Sequence, residues 1–366
     1  MSAYPTWAQE GTRLTCRCAY GDYFAEMPES WELARIHPSA LAVCEWFLFD
    51  RIDAAIDGRA PSPPPTLPAR PRGKRVALSY SGGLDSTAAL AVIHAADPIP
   101  IYLERGYRSY RLRGSEIPLR DPGPEHELAA ARGALIIPNN LETIRSDAGI
   151  GHGFAHGCGY AAIVCLLADH LGLGTLAFGV PLEVSLMSDG YRFVGVTPQH
   201  EQTCHALTLA GLTLCYPVGG CSEALNYEIC NRAGLSALSC PLADREGRPC
   251  GTCFKCFRKL RLGGRSGPAP RPSVLRTLAA RPLKEATSVL YAASKSGDWP
   301  QEIEEYRGFD LSFLERYYDS AVDAFAPPEL RPVIRTSLER LGFSPMTPEE
   351  EERLRTIQDV FDPRFA

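Results

Sequence analysis

Four cysteines, Cys240, Cys250, Cys253 and Cys256, fall within the 18 residues SCPLADREGRPCGTCFKC that begin at Ser239. One Cys, nine intervening residues and a C-x-x-C-x-x-C run bring four thiolates toward one point, the donor set of a tetrahedral metal site. With no open coordination position such a site is structural rather than catalytic, and Zn²⁺ is the expected occupant; an iron–sulfur cluster uses the same ligands and stays open as the alternative. Structural zinc contributes on the order of 10 kcal/mol to the folding of a small knuckle. A second segment, Ser79-Tyr80-Ser81-Gly82-Gly83-Leu84-Asp85-Ser86-Thr87, joins a β-branched run to an Ala-rich helical stretch. Adjacent glycines let the backbone approach a ligand closely, and the N–H groups and dipole of a helix start favour an anion such as pyrophosphate. The loop has no Lys of the kind that reaches the β and γ phosphates in G-x-x-x-x-G-K-[ST]; it carries Asp85 between Leu84 and Ser86. A carboxylate beside phosphates implies Mg²⁺ between them.

These residues must be held by larger elements, and the pattern from Arg75 onward supplies them: short apolar runs alternating with Ala- and Leu-rich stretches, the signature of a parallel sheet with crossover helices. Strands are expected at 75–80, 99–105, 134–138, 175–180 and 212–218, and helices at 86–96, 125–132, 159–171, 201–210 and 223–233. The fold class is therefore α/β, a doubly wound parallel sheet, which binds ligands at the carboxyl ends of its strands. Upstream, the Pro-rich stretch 61–74 reads as an extended linker. Residues 1–60 form an accessory region, with a helix behind a Ser39 cap over 39–56 and a shorter, stranded stretch near 14–24. The knuckle occupies 239–261. A Gly/Pro/Arg-rich link then leads into a helical region, 262–366, including helices at 312–325 and 329–341, and Glu349–Glu352 after Pro348 suits the first turn of a terminal helix.

Composition narrows the class. Lys plus Arg number 38 against 43 Asp plus Glu, a net charge of −5 that excludes a globally basic nucleic-acid wrapper. No run approaches the roughly 18 to 20 apolar residues of a membrane span, and the N-terminus lacks a basic-then-apolar export signal, so a cytoplasmic protein with no membrane partner is expected. Thirteen cysteines, an odd number, then argue for free thiols plus a metal site over a disulfide framework.

Ser81-Gly82-Gly83-Leu84-Asp85-Ser86 resembles the SGGxDS loop of the PP-loop ATP pyrophosphatases, which cleave ATP between the α and β phosphates and adenylate an oxygen of their substrate. Within them the Cys₄ pattern after the last α/β unit, LCYPVGG at 214–220 and EICNRAGLSALSC at 228–240 resemble the 7-cyano-7-deazaguanine synthases; the likeness covers about residues 75–261. It implies ATP and Mg²⁺ at Ser79, Ser81, Gly82, Gly83, Leu84, Asp85, Ser86, Thr87, Tyr102 and Gly179, with Asp85 and Ser86 catalytic, and Zn²⁺ at the four cysteines. It further implies a small-molecule carboxylate substrate, such as a 7-deazapurine acid, with ammonia or another amine as acceptor, an amide or nitrile product, and a homodimer. The chain departs from the family at Pro181 and Glu183, where Asn and Asp usually follow the Gly-Val turn, at Gly157-Cys158, where Arg-Asn is common, and at Asn226, where a Lys is expected. The nucleotide chemistry therefore transfers better than the substrate, leaving a paralogue that modifies another acceptor, nucleic acid or protein included, for instance in anti-phage defence, or a tRNA thiolation enzyme using Cys158.

Three further features stand apart. From Gly247 to Lys284 there are ten basic residues and no acidic ones, while 301–366 hold 15 acidic against 8 basic; the basic run either binds an anion or is balanced internally. Tyr107, Arg108, Tyr110, Arg111 and Arg113 follow the second strand, where Arg could clamp a carboxylate or phosphate. His152 and His156 flank Gly-rich sequence that disfavours a regular helix, and a buried small-residue contact is the plainer role for Cys158.

Overall fold

The computed structural model describes residues 5–105, 110–112, 115–117, 123–151, 153–154, 158–188, 190–238, 240, 242, 244 and 247–357. It is an α/β protein built on one eight-stranded sheet. Its strands, with four that lie outside the main sheet, are β1 (Thr6–Glu10), β2 (Arg13–Cys18), β3 (Gly21–Glu26), β4 (Arg75–Ser79), β5 (Ile99–Arg105), β6 (Tyr110–Leu112), β7 (Ser115–Ile117), β8 (Leu135–Asn139), β9 (Leu173–Phe178), β10 (Met187–Ser188), β11 (Arg192–Phe193) and β12 (Thr213–Cys215). The order across the main sheet is β1-β2-β3-β8-β5-β4-β9-β12; β6 pairs with β7 and β10 with β11 in two small ribbons. β4 runs parallel to β5 and β5 to β8, with Ala77 opposite Ile99 and Tyr102 opposite Ile136.

Two compact units divide the chain: residues 1–81, 98–177 and 198–214, and residues 82–97, 178–197 and 215–366. The first holds the sheet, apart from the last residues of β9 and β12. Every residue of β9 is buried, which fits its continuous apolar run, LGTLAF. Beside it in sequence, the helix Ala161–Leu171 buries all of Ala161–Ala168 and ends on Gly172 in the left-handed region, φ +62°.

The accessory region and the linker turn out to be parts of this unit. β1, β2 and β3 form an antiparallel meander, and β3 joins β8 antiparallel at Ala25 opposite Asn139. Alternation explains the placement: Leu14 and Cys16 on β2, and Tyr23 and Ala25 on β3, are buried while their neighbours are not. The helix after the meander starts at Pro38, not Ser39. Proline takes the first helical position, so His37 becomes the cap and its Nδ1 accepts the Ser39 N–H at 3.3 Å. A single π turn, Trp46–Asp50, interrupts it before Arg51–Asp57. Residues 61–74 contain no helix or strand, yet Arg70 is buried: Nε donates to Asp169 at 2.6 Å, and the guanidinium also reaches the carbonyls of Ala168, Leu173 and Ala210. An Arg guanidinium holding one carboxylate and three backbone carbonyls pins this segment down.

The second unit is mainly helical. Leu84–Val92 begins two residues earlier than the sequence suggests and stops at Val92, followed by a 3₁₀ turn, His94–Ala96. Glu223–Arg232 matches the helix expected at 223–233, whereas Phe254–Arg261 is a helix inside the stretch read only as the knuckle; Pro272–Ala279 and Ala286–Ser296 come next. The stretch expected as one helix at 312–325 is a 3₁₀ turn, Ser312–Glu315, and a short helix, Ser320–Phe325; Tyr317, between them, pairs with Pro345. Pro348–Arg355 opens with a capping box between Thr347 and Glu350. Among the described residues no helix is long and apolar enough to cross a membrane.

Candidate functional site

The glycine loop leaves β4 at Ser79, and the unit boundary falls within it, after Ser81. Gly82 has φ +70°, a conformation that glycine adopts freely, and Gly83 caps the helix Leu84–Val92 with no side chain of its own. The turn is tightened at one carbonyl: Gly83 O accepts the Thr87 N–H at 3.0 Å and the Ser86 hydroxyl at 3.1 Å. Gly82 O accepts the Leu238 N–H at 2.7 Å, tying the loop to the segment just before the cysteines. Gly179 lies against the same helix start. A Cβ there would sit 2.4 Å from Ser86 N, so only glycine permits this approach. Gly82, Gly83, Leu84, Asp85, Ser86, Thr87 and Gly179 are thus together in the second unit, while Ser79, Ser81 and Tyr102 belong to the first.

Asp85 is the centre of a partly buried polar network. Its Oδ1 accepts from Asn226 Nδ2 at 3.0 Å, and its Oδ2 lies 3.3 Å from Lys259 Nζ. Lys259 also faces Glu223 at 3.8 Å, and Arg258, next to it in sequence, donates to Glu223 Oε2 at 2.9 Å and contacts Glu285. Both side chains of the Arg258–Glu223 pair are under a tenth exposed. Burial works against a charge on Lys259, but the carboxylates of Asp85 and Glu223 outweigh it and push its pKa up, so it is an ammonium.

Glu183 completes the cluster from the other side. Both of its oxygens accept the Glu223 N–H at 3.1 Å, and Ser288 Oγ donates to Oε1 at 3.1 Å. It therefore sits at the start of the helix Glu223–Arg232, a position where a carboxylate meets the helix dipole. Burial, followed by the nearby Glu223 carboxylate, raises its pKa to about 8. The two departures at Glu183 and Asn226 are hence both engaged inside the protein: one holds a helix start, the other holds Asp85.

The four cysteines converge. Their Sγ atoms all lie within 4.8 Å of one another, with Cys240–Cys253 and Cys250–Cys256 both at 3.9 Å. A tetrahedron of sulfurs about 2.3 Å from zinc has edges of about 3.8 Å, so the spacing suits that ion. Backbone N–H groups already point at the sulfurs: Leu242 and Cys250 donate to Cys240, and Cys256 donates to Cys253, at 3.3–3.4 Å. Burial raises the Cys250 thiol, but the N–H groups of Thr252 and Cys253 and further hydrogen bonds outweigh it and bring its pKa below the ordinary value. Gly251, at φ +74°, makes the turn between the first two cysteines of the run. Cys253 is in addition the cap of the helix Phe254–Arg261, which carries Arg258, Lys259 and Arg261.

The basic run at 247–284 is partly accounted for by internal pairing. Arg258 and Lys259 are paired as above, and Arg261, 1 % exposed, grips Asp298 through two nitrogens at 2.9 and 2.6 Å. Cys158 lies in the turn before Ala161–Leu171, its carbonyl accepting the Ala161 N–H at 2.8 Å. Burial first, and then Cys158, push the Cys204 thiol up to about 11, which keeps it protonated and unreactive at neutral pH. Tyr107, Arg108, Arg113, His152, His156 and Gly157 lie outside the described residues, as do the side chains of Tyr110 and Arg111.

Sequence reasoning passed over Lys259, Arg258, Glu223 and Ser288. A signal existed: of five lysines in the chain, two, Lys255 and Lys259, stand one turn apart immediately after the first C-x-x-C.

A family described as a family of unknown function (DUF6395) matches residues 202–358. That span contains the helix Glu223–Arg232, the cysteine cluster and the helix Phe254–Arg261, and it leaves out the glycine loop and Glu183. No curated protein matches the chain.

Proposed function

We propose that the protein is an ATP-dependent ligase of the PP-loop ATP pyrophosphatase type, which adenylates a carboxylate and passes the acyl group to an amine. The observation that carries this reading is the placement of Ser81–Ser86 directly after β4. In the order β8-β5-β4-β9-β12, β4 has β5 and β8 on one side and β9 and β12 on the other. Counting from β4, this order is similar to the 3-2-1-4-5 order of doubly wound sheets, which bind ligands outside the carboxyl end of the first strand, and so supports the reading. The close approach of Gly179 to the helix start and the glycine backbone at 82–83 add a surface suited to phosphate.

In this scheme an oxygen of the substrate carboxylate attacks the α-phosphorus of ATP. The bond from that phosphorus to the α–β bridging oxygen breaks, and its electron pair leaves with pyrophosphate; an amine then attacks the acyl-adenylate and AMP departs. N–H groups at the start of Leu84–Val92 would face the charge growing on pyrophosphate, a preorganised site of the kind that stabilises a transition state. Mg²⁺ would be held by Asp85 and the phosphates themselves, since among the described residues no second cluster of three or more Asp, Glu, His or Cys ligands exists. Zn²⁺ fits the cysteine site and would hold the knuckle together, supplying structure rather than chemistry.

The substrate class rests on the resemblance to 7-cyano-7-deazaguanine synthases, which implies 7-carboxy-7-deazaguanine and ammonia. The internal engagement of Glu183 and Asn226 favours a second reading of the acceptor, in which a related acid is joined to a different amine. The test is to incubate zinc-loaded protein with ATP and Mg²⁺, with and without 7-carboxy-7-deazaguanine and ammonia, and to follow the acid by mass. An amide or nitrile supports the full scheme, and AMP formation with no such product supports the second acceptor. Absence of any acid-dependent ATP turnover contradicts the assignment of this acid.

A further inference from the structure

The loop that would receive the phosphates of ATP contains no lysine or arginine from Ser79 to Thr87. ATP carries about four negative charges, more than one Mg²⁺ and backbone N–H groups offset, and a cation from elsewhere in the fold would complete the balance. One stands at the loop. Lys259 Nζ is 3.3 Å from Asp85 Oδ2, and its side chain is 12 % exposed. An ammonium has three donors. Among the described residues Asp85 alone lies within hydrogen-bond distance of this one, and Glu223, at 3.8 Å, is an electrostatic neighbour only. A largely buried cation with spare donors is an incomplete arrangement. The neighbouring amide is incomplete in the same sense: Asn226 is fully buried, its Nδ2 holds Asp85, and its Oδ1 has no donor among the described residues.

Arg258 does not share this position, because Glu223 and Glu285 already occupy it. Lys259 and Asp85 together form a neutral pair whose two ends could each exchange their partner: the carboxylate for a divalent cation, the ammonium for the phosphate oxygens that accompany it. Magnesium pyrophosphate is the complementary ion pair. The helix bearing Lys259 begins at Cys253, so the knuckle sets where the ammonium is.

We propose that Lys259 is a phosphate-binding residue of the site, the cation that receives the β and γ phosphates of ATP and releases them as pyrophosphate. It rests on the reading of the glycine loop as a nucleotide site. Lys259 stays protonated throughout; the electron pair of the broken bond goes to pyrophosphate and no proton moves to or from the ammonium. It discriminates by phosphate number, holding ATP and pyrophosphate and leaving AMP untouched.

The experiment is equilibrium binding of ATP, pyrophosphate and AMP, each with Mg²⁺, to the zinc-loaded wild-type protein and to Lys259→Gln and Lys259→Arg. Melting temperature and zinc content are measured alongside. Losing a charge-assisted contact of this kind costs about tenfold or more in affinity. Lys259→Gln is expected to bind ATP and pyrophosphate at least about tenfold more weakly with AMP affinity unchanged, and Lys259→Arg to recover most of the difference. Equal weakening for all three ligands, or none, overturns the proposal while leaving the nucleotide site standing. A wild-type protein that binds none of the three overturns the reading of the loop and the proposal with it. If Lys259→Gln does not fold, amine-reactive labelling of the wild-type protein decides: pyrophosphate but not AMP should shield Lys259, and unchanged labelling contradicts the role.

Discussion

The charged groups around Asp85 and those around Arg335 use the same residue types in opposite surroundings. Arg335 meets Asp319 through two nitrogens at 2.8 and 2.9 Å and Asp323 at 2.9 Å, with all three side chains between 29 and 54 % exposed. Arg258 meets Glu223 at the same distance with both side chains under a tenth exposed. Water can replace any partner in the first cluster and cannot in the second. Equal geometry therefore carries unequal consequences: a surface pair is decoration on a helix, whereas a buried one commits every member to the others.

The cysteine knuckle, which caps the helix carrying Arg258 and Lys259, should give the largest effect. Cys253→Ser, or removal of metal by a chelator, is expected to cost on the order of 10 kcal/mol of local folding energy and to open Phe254–Arg261 to amide exchange. Exchange protection in that helix unchanged after zinc loss would separate the knuckle from the cluster. Next, Arg258→Met leaves Glu223 buried with fewer partners, and about 3–5 kcal/mol should be lost in urea unfolding. A loss below about 1 kcal/mol would erase the contrast between the two regions.

A smaller effect is expected from Glu183, and it has a pH signature. Its pKa is raised from 4.5 to about 8, so the folded state binds its proton more tightly than the unfolded chain does. The stability it contributes is complete below about 4.5 and is lost as pH rises through about 8. Melting temperatures of the wild-type protein should fall across that window, and Glu183→Gln should flatten the slope; an identical slope in the variant would place the titration elsewhere. The smallest change is expected at the surface. Arg335→Met should cost about 0–1 kcal/mol, and the difference should shrink in 1 M salt.

Much of this was legible in the sequence, and for physical reasons. Continuous apolar runs located β5 and β9, and the tight spacing of Cys250, Cys253 and Cys256 already pointed to convergence, because only two residues separate each successive pair. The meander β1–β3 was harder to read, since its alternation is short and its pairing with β8 spans more than a hundred residues. Residues 61–74 looked like a free connector because proline density reports only local geometry; what Arg70 reaches, Asp169 and three distant carbonyls, is not local. The same reason hid Lys259. Its neighbours in the chain are basic, and its partner, Asp85, lies 174 positions away.

The function proposed above requires that Gly82–Thr87 hold ATP for cleavage between its α and β phosphates. The most direct test identifies the nucleotide products when zinc-loaded protein turns over ATP and Mg²⁺ in the presence of a panel of carboxylic acids, 7-carboxy-7-deazaguanine among them. AMP and pyrophosphate are expected in equal amounts, dependent on the acid and lost in Asp85→Ala. Formation of ADP and inorganic phosphate, or AMP formation that survives in Asp85→Ala, would contradict it.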